Sequence, residues 1–126
     1  MTNFKTENLK KFPEAVWPYS PYYEAGDFIF CSWQIAIDPN TNKLIKWSIK
    51  KQTEQVIQNI KALVNFLWLE LTNIVKTTIF ITDINKFATV NEIYWKYFLH
   101  KPARSTIEVS SLPLWASIEI EVIIKK

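Results

Sequence analysis

An α+β fold, with a mixed β-sheet and two helices packed on one face of it, is predicted by the order of hydrophobic patterns along the chain. Two segments have the spacing of amphipathic helices, and the segments around them are rich in β-branched and aromatic residues. Each helical segment has a single apolar stripe, whereas the last strand-like segment has apolar residues on both faces. The 126 residues contain no linker, so we expect one domain, 1–126.

The first predicted elements are a strand, a turn and a helix. The strand at 28–37 is rich in Phe, Ile and Trp and stops at the turn-forming run Asp-Pro-Asn-Thr-Asn. The helix at 48–67 has apolar residues at helical spacing, with Lys, Glu and Gln between them. We expect this helix to bury one stripe against the sheet.

The second half of the chain repeats the pattern and ends in two strands. A β-branched strand at 73–82 is followed by Asp83, which can cap a second helix that ends near His100. The last two strands are predicted at 105–110 and 117–124. Ile118, Ile120 and Val122 alternate with Glu119, Glu121 and Ile123, so the outer face of the sheet is neither fully polar nor covered by the two helices. We therefore expect an oligomer that buries this face.

Composition argues against several classes of function. The formal net charge is +3, spread over scattered lysines without a block of like charges, so no nucleic-acid footprint is indicated. No apolar run is long enough to span a membrane and the start has no signal core, so we expect no membrane partner and a cytoplasmic protein. Cys31 and His100 are the only Cys and His, so we expect neither an internal disulfide nor a metal site.

Two groups of residues are candidates for chemistry. Arg104 follows Pro102 at the start of a predicted strand, where its guanidinium fork can bind a carboxylate or form a structural ion pair. Glu119 and Glu121 lie two residues apart on one side of the last strand. This arrangement is found both in solvated strand faces and in strands that contain a functional carboxylate. If the last two strands are antiparallel neighbours, Glu119 reaches the molecule that Arg104 holds.

The chain resembles the RidA (YjgF-type) family of enamine/imine deaminases along nearly its whole length. The resemblance rests on Pro-Ala-Arg-Ser-Thr-Ile-Glu-Val-Ser-Ser-Leu-Pro at 102–113 and Ile-Glu-Ile-Glu at 118–121. Further matching segments are Ala-Val-Trp-Pro-Tyr-Ser at 15–20, the strand ending in Ser-Trp-Gln-Ile at 32–35, and Phe-Ala-Thr-Val-Asn-Glu-Ile-Tyr at 87–94.

The resemblance implies a chorismate-mutase-like fold, a homotrimer with active sites between subunits, and no cofactor. It implies hydrolysis of 2-imino acids, the tautomers of enamines released by pyridoxal-phosphate-dependent dehydratases, to 2-keto acids and ammonia. Arg104 would bind the substrate carboxylate, and Glu119 would orient or deprotonate the attacking water. The substrate-binding candidates carried over from the family are Tyr19, Ser32, Trp33, Asn91 and Thr106. The alternative is a regulatory or ligand-binding member of the fold, since relatives without the Arg lack deaminase activity and others are called translation inhibitors, ribonucleases or chaperones.

Tryptophan stands where the family pattern has glycine. The chain has six Trp and only Gly26, against roughly nine Gly expected from average usage. The family has Gly at positions 17, 33, 68 and 115, commonly at 47, and a small residue at 95. We hypothesise that these six codons are UGA, read as glycine in the source lineage, because six independent exchanges of this size at tight sites are implausible. Adding the six positions to Gly26 gives seven Gly. If Trp is present, we expect strained backbone or displaced side chains around Trp17, Trp33 and Trp115.

Overall fold

A computed structural model describes residues 19–126 and contains the predicted α+β architecture. The strands are β1 (Tyr22–Ala25), β2 (Phe28–Cys31), β3 (Ile37–Asp38), β4 (Lys43–Leu44), β5 (Ile74–Ile81), β6 (Ala103–Glu108) and β7 (Ile118–Lys125), and the helices are α1 (Ile49–Phe66) and α2 (Phe87–Tyr97). Five strands form one sheet in the order β1-β2-β7-β5-β6, and β3 and β4 form a separate hairpin. The β5–β6 pair is parallel and the other pairs are antiparallel, so the sheet is mixed as predicted.

Helix α1 begins and ends with side-chain and backbone caps. Ser48 is its N-cap, and the Ser48 hydroxyl accepts a hydrogen bond from the Lys51 backbone N–H. At the other end the Leu69 N–H donates to the Val64 carbonyl and the Trp68 N–H donates to the Asn65 carbonyl, which is a Schellman motif. Trp68 occupies the left-handed position of this motif with φ +63°. Trp68 therefore stands at a helix-end position that favours glycine.

The core lies between the two helices and one face of the sheet. Ile60 and Leu63 of α1 and Ile79 and Ile120 of the sheet are essentially inaccessible to solvent. The opposite face of the sheet, which we call the outer face, is uncovered by any element of residues 19–126. Phe28, Phe30 and Ile107 are 40%, 48% and 45% exposed there. The predicted uncovered face with apolar residues is confirmed.

Three predicted boundaries were wrong. The segment 28–37 is not one strand, because the chain leaves β2 after Cys31, where the Ser32 N–H donates to the Pro21 carbonyl, and rejoins the sheet only at an isolated bridge between Gln34 and Ile120. Helix α2 ends at Tyr97, since the chain turns through a left-handed residue at 101 before Pro102. Strand β6 covers Ala103–Glu108 instead of 105–110, in register with β5.

The tryptophans differ in backbone conformation. Trp115 has φ +59° and follows Leu114 at φ +57°, so the strain predicted there is confirmed. Trp33 does not have positive φ, so the backbone strain predicted there is not found in φ. Trp47 has no positive φ either, and Trp95 lies within α2. Trp17 lies outside the described residues. Within residues 19–126, neither helix combines the length and apolar character needed to cross a bilayer.

Candidate functional site

Strand register decides which face of the sheet each candidate occupies. In β5, Thr77 is fully buried beneath α2, and successive strand residues point to alternate faces. Arg104 is the cross-strand partner of Thr77, whereas Glu119 is the cross-strand partner of Phe80. Arg104 therefore projects toward the helices and Glu119 toward the outer face.

Arg104 is held by one face of α2. Its Nη1 donates to the Asn91 Oδ1 at 2.7 Å, and its Cζ lies 4.8 Å from the ring centroid of Tyr94 and 5.3 Å from that of Phe87. Residues 87, 91 and 94 have i, i+4, i+7 spacing and so share a helix face. We call Phe87, Asn91, Tyr94 and Arg104 the arginine cluster.

A cavity of about 360 Å³ opens at the arginine cluster, a volume within the usual range for a small-molecule site. Its lining residues are Asn91, Glu92, Tyr94, Trp95, Lys101, Pro102 and Arg104. Two cationic side chains, Lys101 and Arg104, line it with one carboxylate, Glu92. The cavity is therefore suited to a small anion that carries an apolar portion.

Glu119 lies in a second group of residues, on the outer face. Partial burial, followed by the charge of Glu121 on the same face, raises the pKa of Glu119 to about 7. Burial and the charge of Glu119 in turn raise the pKa of Tyr19. The Tyr19 and Trp33 rings are tilted against each other with centroids 5.9 Å apart. We call Tyr19, Trp33, Glu119 and Glu121 the carboxylate cluster.

One chain does not bring Arg104 and Glu119 together, so the expectation that neighbouring antiparallel strands join them was wrong. Strand β5 lies between β6 and β7, and the two side chains project from opposite faces of the sheet. A sequence alone does not reveal the insertion of β5 between the last two strands, because strand order is a tertiary property.

The remaining candidates divide between the two clusters. Thr106 in β6 pairs with Ile79 in β5. It lies two residues from Arg104 and on the same face of the sheet. The Ser32 hydroxyl donates to the Ser20 carbonyl, and the bridge between Gln34 and Ile120 holds the 32–34 segment beside β7. Asn91 and Thr106 thus lie on the Arg104 side, and Ser32 belongs to the segment beside Glu119.

Sequence reasoning missed the roles of Phe87 and Tyr94 next to Arg104. Their helical spacing was visible, but it predicted only a packing face of α2, which is the commoner meaning of aromatic residues at that spacing. The signal that distinguishes them is that they share a helix face with Asn91, which hydrogen bonds to Arg104, and this becomes visible only when β6 is placed beside β5.

Acidic and nucleophilic groups elsewhere add little to these clusters. Burial raises the pKa of the Cys31 thiol to about 12, which keeps it protonated and unreactive. Across residues 19–126, no three His, Cys, Asp or Glu side chains are grouped so that they could hold a metal ion.

Comparisons with known proteins agree with this fold. The model of the family described as Endoribonuclease L-PSP matches residues 9–126. Reactive Intermediate Deaminase A, chloroplastic, of Arabidopsis thaliana is 44% identical over 117 residues, covering 92% of this chain and 63% of the relative.

Two solved structures have the same fold. YyfA of Yersinia pestis, described as a protein of unknown function of the conserved Rid family, is 46% identical with a TM-score of 0.90, and the match covers 93% of this chain and 94% of that one. Escherichia coli TdcF with bound serine is 35% identical with a TM-score of 0.87 and the same coverage. The fold and site define a small α+β protein of the YjgF type. The chain belongs to the RidA (YjgF-type) family, as the sequence predicted.

Proposed function

We propose that the protein hydrolyses small 2-imino acids, including 2-iminopropanoate and 2-iminobutanoate, to 2-keto acids and ammonia. The observation that carries this proposal is the restrained Arg104 guanidinium at the mouth of a 360 Å³ cavity. Support comes from the Arabidopsis relative, which is named a reactive intermediate deaminase. The structure of TdcF with serine adds that a relative of this fold binds a small molecule with an α-carboxylate and an adjacent nitrogen.

Arg104 binds the substrate carboxylate in this proposal. A guanidinium presents two parallel N–H donors to a carboxylate, which fixes both the position and the orientation of a small substrate. Asn91 and Thr106 line the same end and contribute polar groups. When the substrate carboxylate is fixed, the position of the imine carbon is fixed too. The group that activates water can then act from a single position in the site.

Glu119 activates water in the same proposal. The ionised carboxylate accepts a proton from water as the oxygen attacks the imine carbon, and the C=N π electrons move to nitrogen. Protonated Glu119 then donates this proton to nitrogen, which gives a carbinolamine. Glu119 next accepts the proton of the new hydroxyl as the C=O bond forms and the C–N bond breaks, and it passes this proton to the departing nitrogen, so the products are the keto acid and ammonia. A pKa of about 7 suits a group that both accepts and donates a proton near neutral pH.

Two copies of the chain are needed to form one site, and we propose a homotrimer with sites between subunits. The support is that Arg104 and Glu119 project from opposite faces of the sheet, and that the outer face has exposed Phe28, Phe30 and Ile107. Burying such a surface against a second copy removes apolar area from water. Each site then takes Arg104 from one subunit and Glu119 from its neighbour.

The outer-face residues complete the proposed site. Tyr19 and Ser32 line it beside Glu119, and the residue at 33 lies where the family has the glycine whose N–H faces the substrate. The Trp33 indole against Tyr19 fills space that a glycine leaves open. The reaction as proposed uses no cofactor, and the proposed compartment is the cytoplasm, although the Arabidopsis relative is named chloroplastic.

The proposal is tested by the release of keto acid from 2-aminoacrylate generated in situ by a serine dehydratase. The wild type should accelerate release over the buffer rate, and Arg104→Ala should lose about 100-fold in kcat/KM because a charged, bidentate contact is lost. Arg104→Lys is the matched control, since it keeps the charge without the fork. Equal acceleration by wild type and Arg104→Ala would overturn the role of Arg104.

The alternative is a regulatory or ligand-binding protein, and the description Endoribonuclease L-PSP points to RNA as its ligand. No acceleration by the wild type, together with RNA binding that weakens as salt is added, would favour that alternative over the deaminase.

A further inference from the structure

The underside of the arginine cluster consists of buried groups. Tyr94 is 4% exposed, and one face of its ring lies beneath the Arg104 guanidinium. Its hydroxyl hydrogen bonds to the Thr77 hydroxyl at 2.8 Å, and Thr77 is fully buried on β5. The Tyr94 ring is also stacked on Phe98, with centroids 4.3 Å apart and planes 21° apart.

Two contacts restrain the Tyr94 ring. Stacking on Phe98 limits its movement away from Arg104, and the bond to Thr77 limits displacement of the hydroxyl end of the ring. A phenol in an apolar core needs such a partner, so the Thr77 hydroxyl also removes the cost of burying the Tyr94 hydroxyl. The ring face beneath Arg104 is therefore rigid.

Arg104 itself lies at the edge of the sheet and has a long, flexible side chain. The Asn91 amide fixes one guanidinium nitrogen, and a single hydrogen bond leaves the plane of the group free to rotate about it. A planar cation prefers to stack on an aromatic face. Tyr94 beneath the plane, with Phe87 beside it, thus supplies the restraint that one hydrogen bond lacks.

We propose that Tyr94, fixed by its hydrogen bond to Thr77, is the positioning residue that orients the Arg104 guanidinium for binding a carboxylate. This inference rests on the proposed function in naming the ligand, a small 2-keto or 2-imino acid. Tyr94 acts on ligand binding through Arg104. Thr77 in turn affects the orientation of Arg104 through Tyr94.

The test measures binding of 2-oxobutanoate, a stable keto acid, by calorimetry, alongside KM and kcat for 2-iminobutanoate. Tyr94→Leu removes the ring and should weaken 2-oxobutanoate binding about tenfold, with a matching rise in KM and kcat within about twofold. Tyr97→Leu is the matched control, because it makes the same exchange on the same helix where the side chain faces Gln58 of α1. It should leave both constants unchanged.

Two milder variants keep the test valid if Tyr94→Leu fails to fold. Tyr94→Phe and Thr77→Val each remove one of the two bonded hydroxyls while keeping the ring, and each should weaken binding about twofold to threefold. The double variant should lose no more than either single one, because both remove the same bond. Wild-type affinity in folded Tyr94→Leu, or in both milder variants if it does not fold, would overturn the inference.

The outcomes separate this inference from the deaminase proposal. If 2-oxobutanoate binds, and both Arg104→Ala and Tyr94→Leu weaken that binding, but no imine is hydrolysed, the deaminase proposal fails and the Tyr94 inference stands. If imine hydrolysis depends on Arg104, but the Tyr94→Leu variant binds the keto acid like the wild type, the Tyr94 inference alone fails.

Discussion

The two clusters differ in how firmly the fold holds their charged groups. Arg104 is fixed by an amide and two aromatic rings, all from α2, on the face of the sheet where the core lies. Glu119 lies half-buried on the uncovered face, where burial and a second carboxylate disfavour its ionised form. The contacts that restrain Arg104 all lie within one chain, whereas the carboxylate cluster brings two carboxylates together on an open face. Under the proposed function, this difference means that substrate binding is built into the protomer and that the chemistry requires a second copy.

The largest expected effect comes from the carboxylate cluster. Glu119→Gln should lower kcat about 1,000-fold, because it removes the general base, while KM stays within about threefold since Arg104 is untouched. Steady-state kinetics with 2-iminobutanoate measure both constants. Glu108→Gln is a suitable control, because Glu108 accepts a hydrogen bond from the Ile84 N–H away from both clusters. A Glu119→Gln variant with wild-type kcat would remove the distinction between the clusters.

A smaller effect is expected on pH dependence. Glu119 acts as a base only when ionised, so kcat/KM should rise with pH through its pKa of about 7 and then level off. Glu121→Gln removes the second cause of the raised pKa, so the rising limb should move toward acidic pH. A limb that does not move, or that moves to alkaline pH, would contradict the assignment of Glu119 as the base.

The smallest expected effect concerns stability at the helix end away from both clusters. Trp68→Gly should raise the free energy of unfolding by about 1 kcal/mol, because glycine adopts φ +63° without the steric cost that a Cβ carries. Trp95→Gly is the matched control, and within α2 it should lower the free energy of unfolding by about 0.5–1 kcal/mol. Denaturant unfolding measures both, and a destabilising Trp68→Gly would show that the indole belongs there.

The same positions test the hypothesis of UGA read as glycine. We expect UGA at all six codons, and an intact mass of the protein from its source that corresponds to seven glycines. Any other codon at these positions, or six indoles in the native mass, would end the hypothesis. The left-handed conformation of Trp68 and Trp115 favours the hypothesis of recoded glycine codons. The φ angles of Trp33 and Trp47 are not positive, so they argue neither for this hypothesis nor against it.

The sequence predicted α1 and β7 well because each has a long, regular pattern bounded by clear signals. Ser48 and the left-handed Trp68 lie at the two ends of α1, and β7 alternates without interruption. The break after Cys31 was not predictable, because residues 28–37 are mostly apolar, with Ser32 and Gln34 between them, and the break depends on a hydrogen bond to the Pro21 carbonyl.

The composition of the site was predictable and its geometry was not. The resemblance identified Arg104, Asn91 and Glu119 from local motifs. Their separation by face depends on the register of β6 and β7 against β5, which is set by packing between distant segments. Tyr94 illustrates the same limit. Thr77 and Arg104 lie within 17 residues of Tyr94 in the sequence, but its contacts with them form only when α2 packs on the sheet.

The central claim is that each site takes Arg104 and Glu119 from different subunits, and mixed oligomers test it most directly. Arg104→Ala and Glu119→Gln chains are each nearly inactive alone, and they are co-refolded in equal amounts. In a ring of copies, about one quarter of the interfaces then pair an intact Arg104 with an intact Glu119, so about one quarter of the wild-type activity should return. Mixing Arg104→Ala chains with the double variant is the control and should restore none. Activity that stays at the level of the separate variants in the equal mixture, with mixed oligomers verified by mass, would contradict the account.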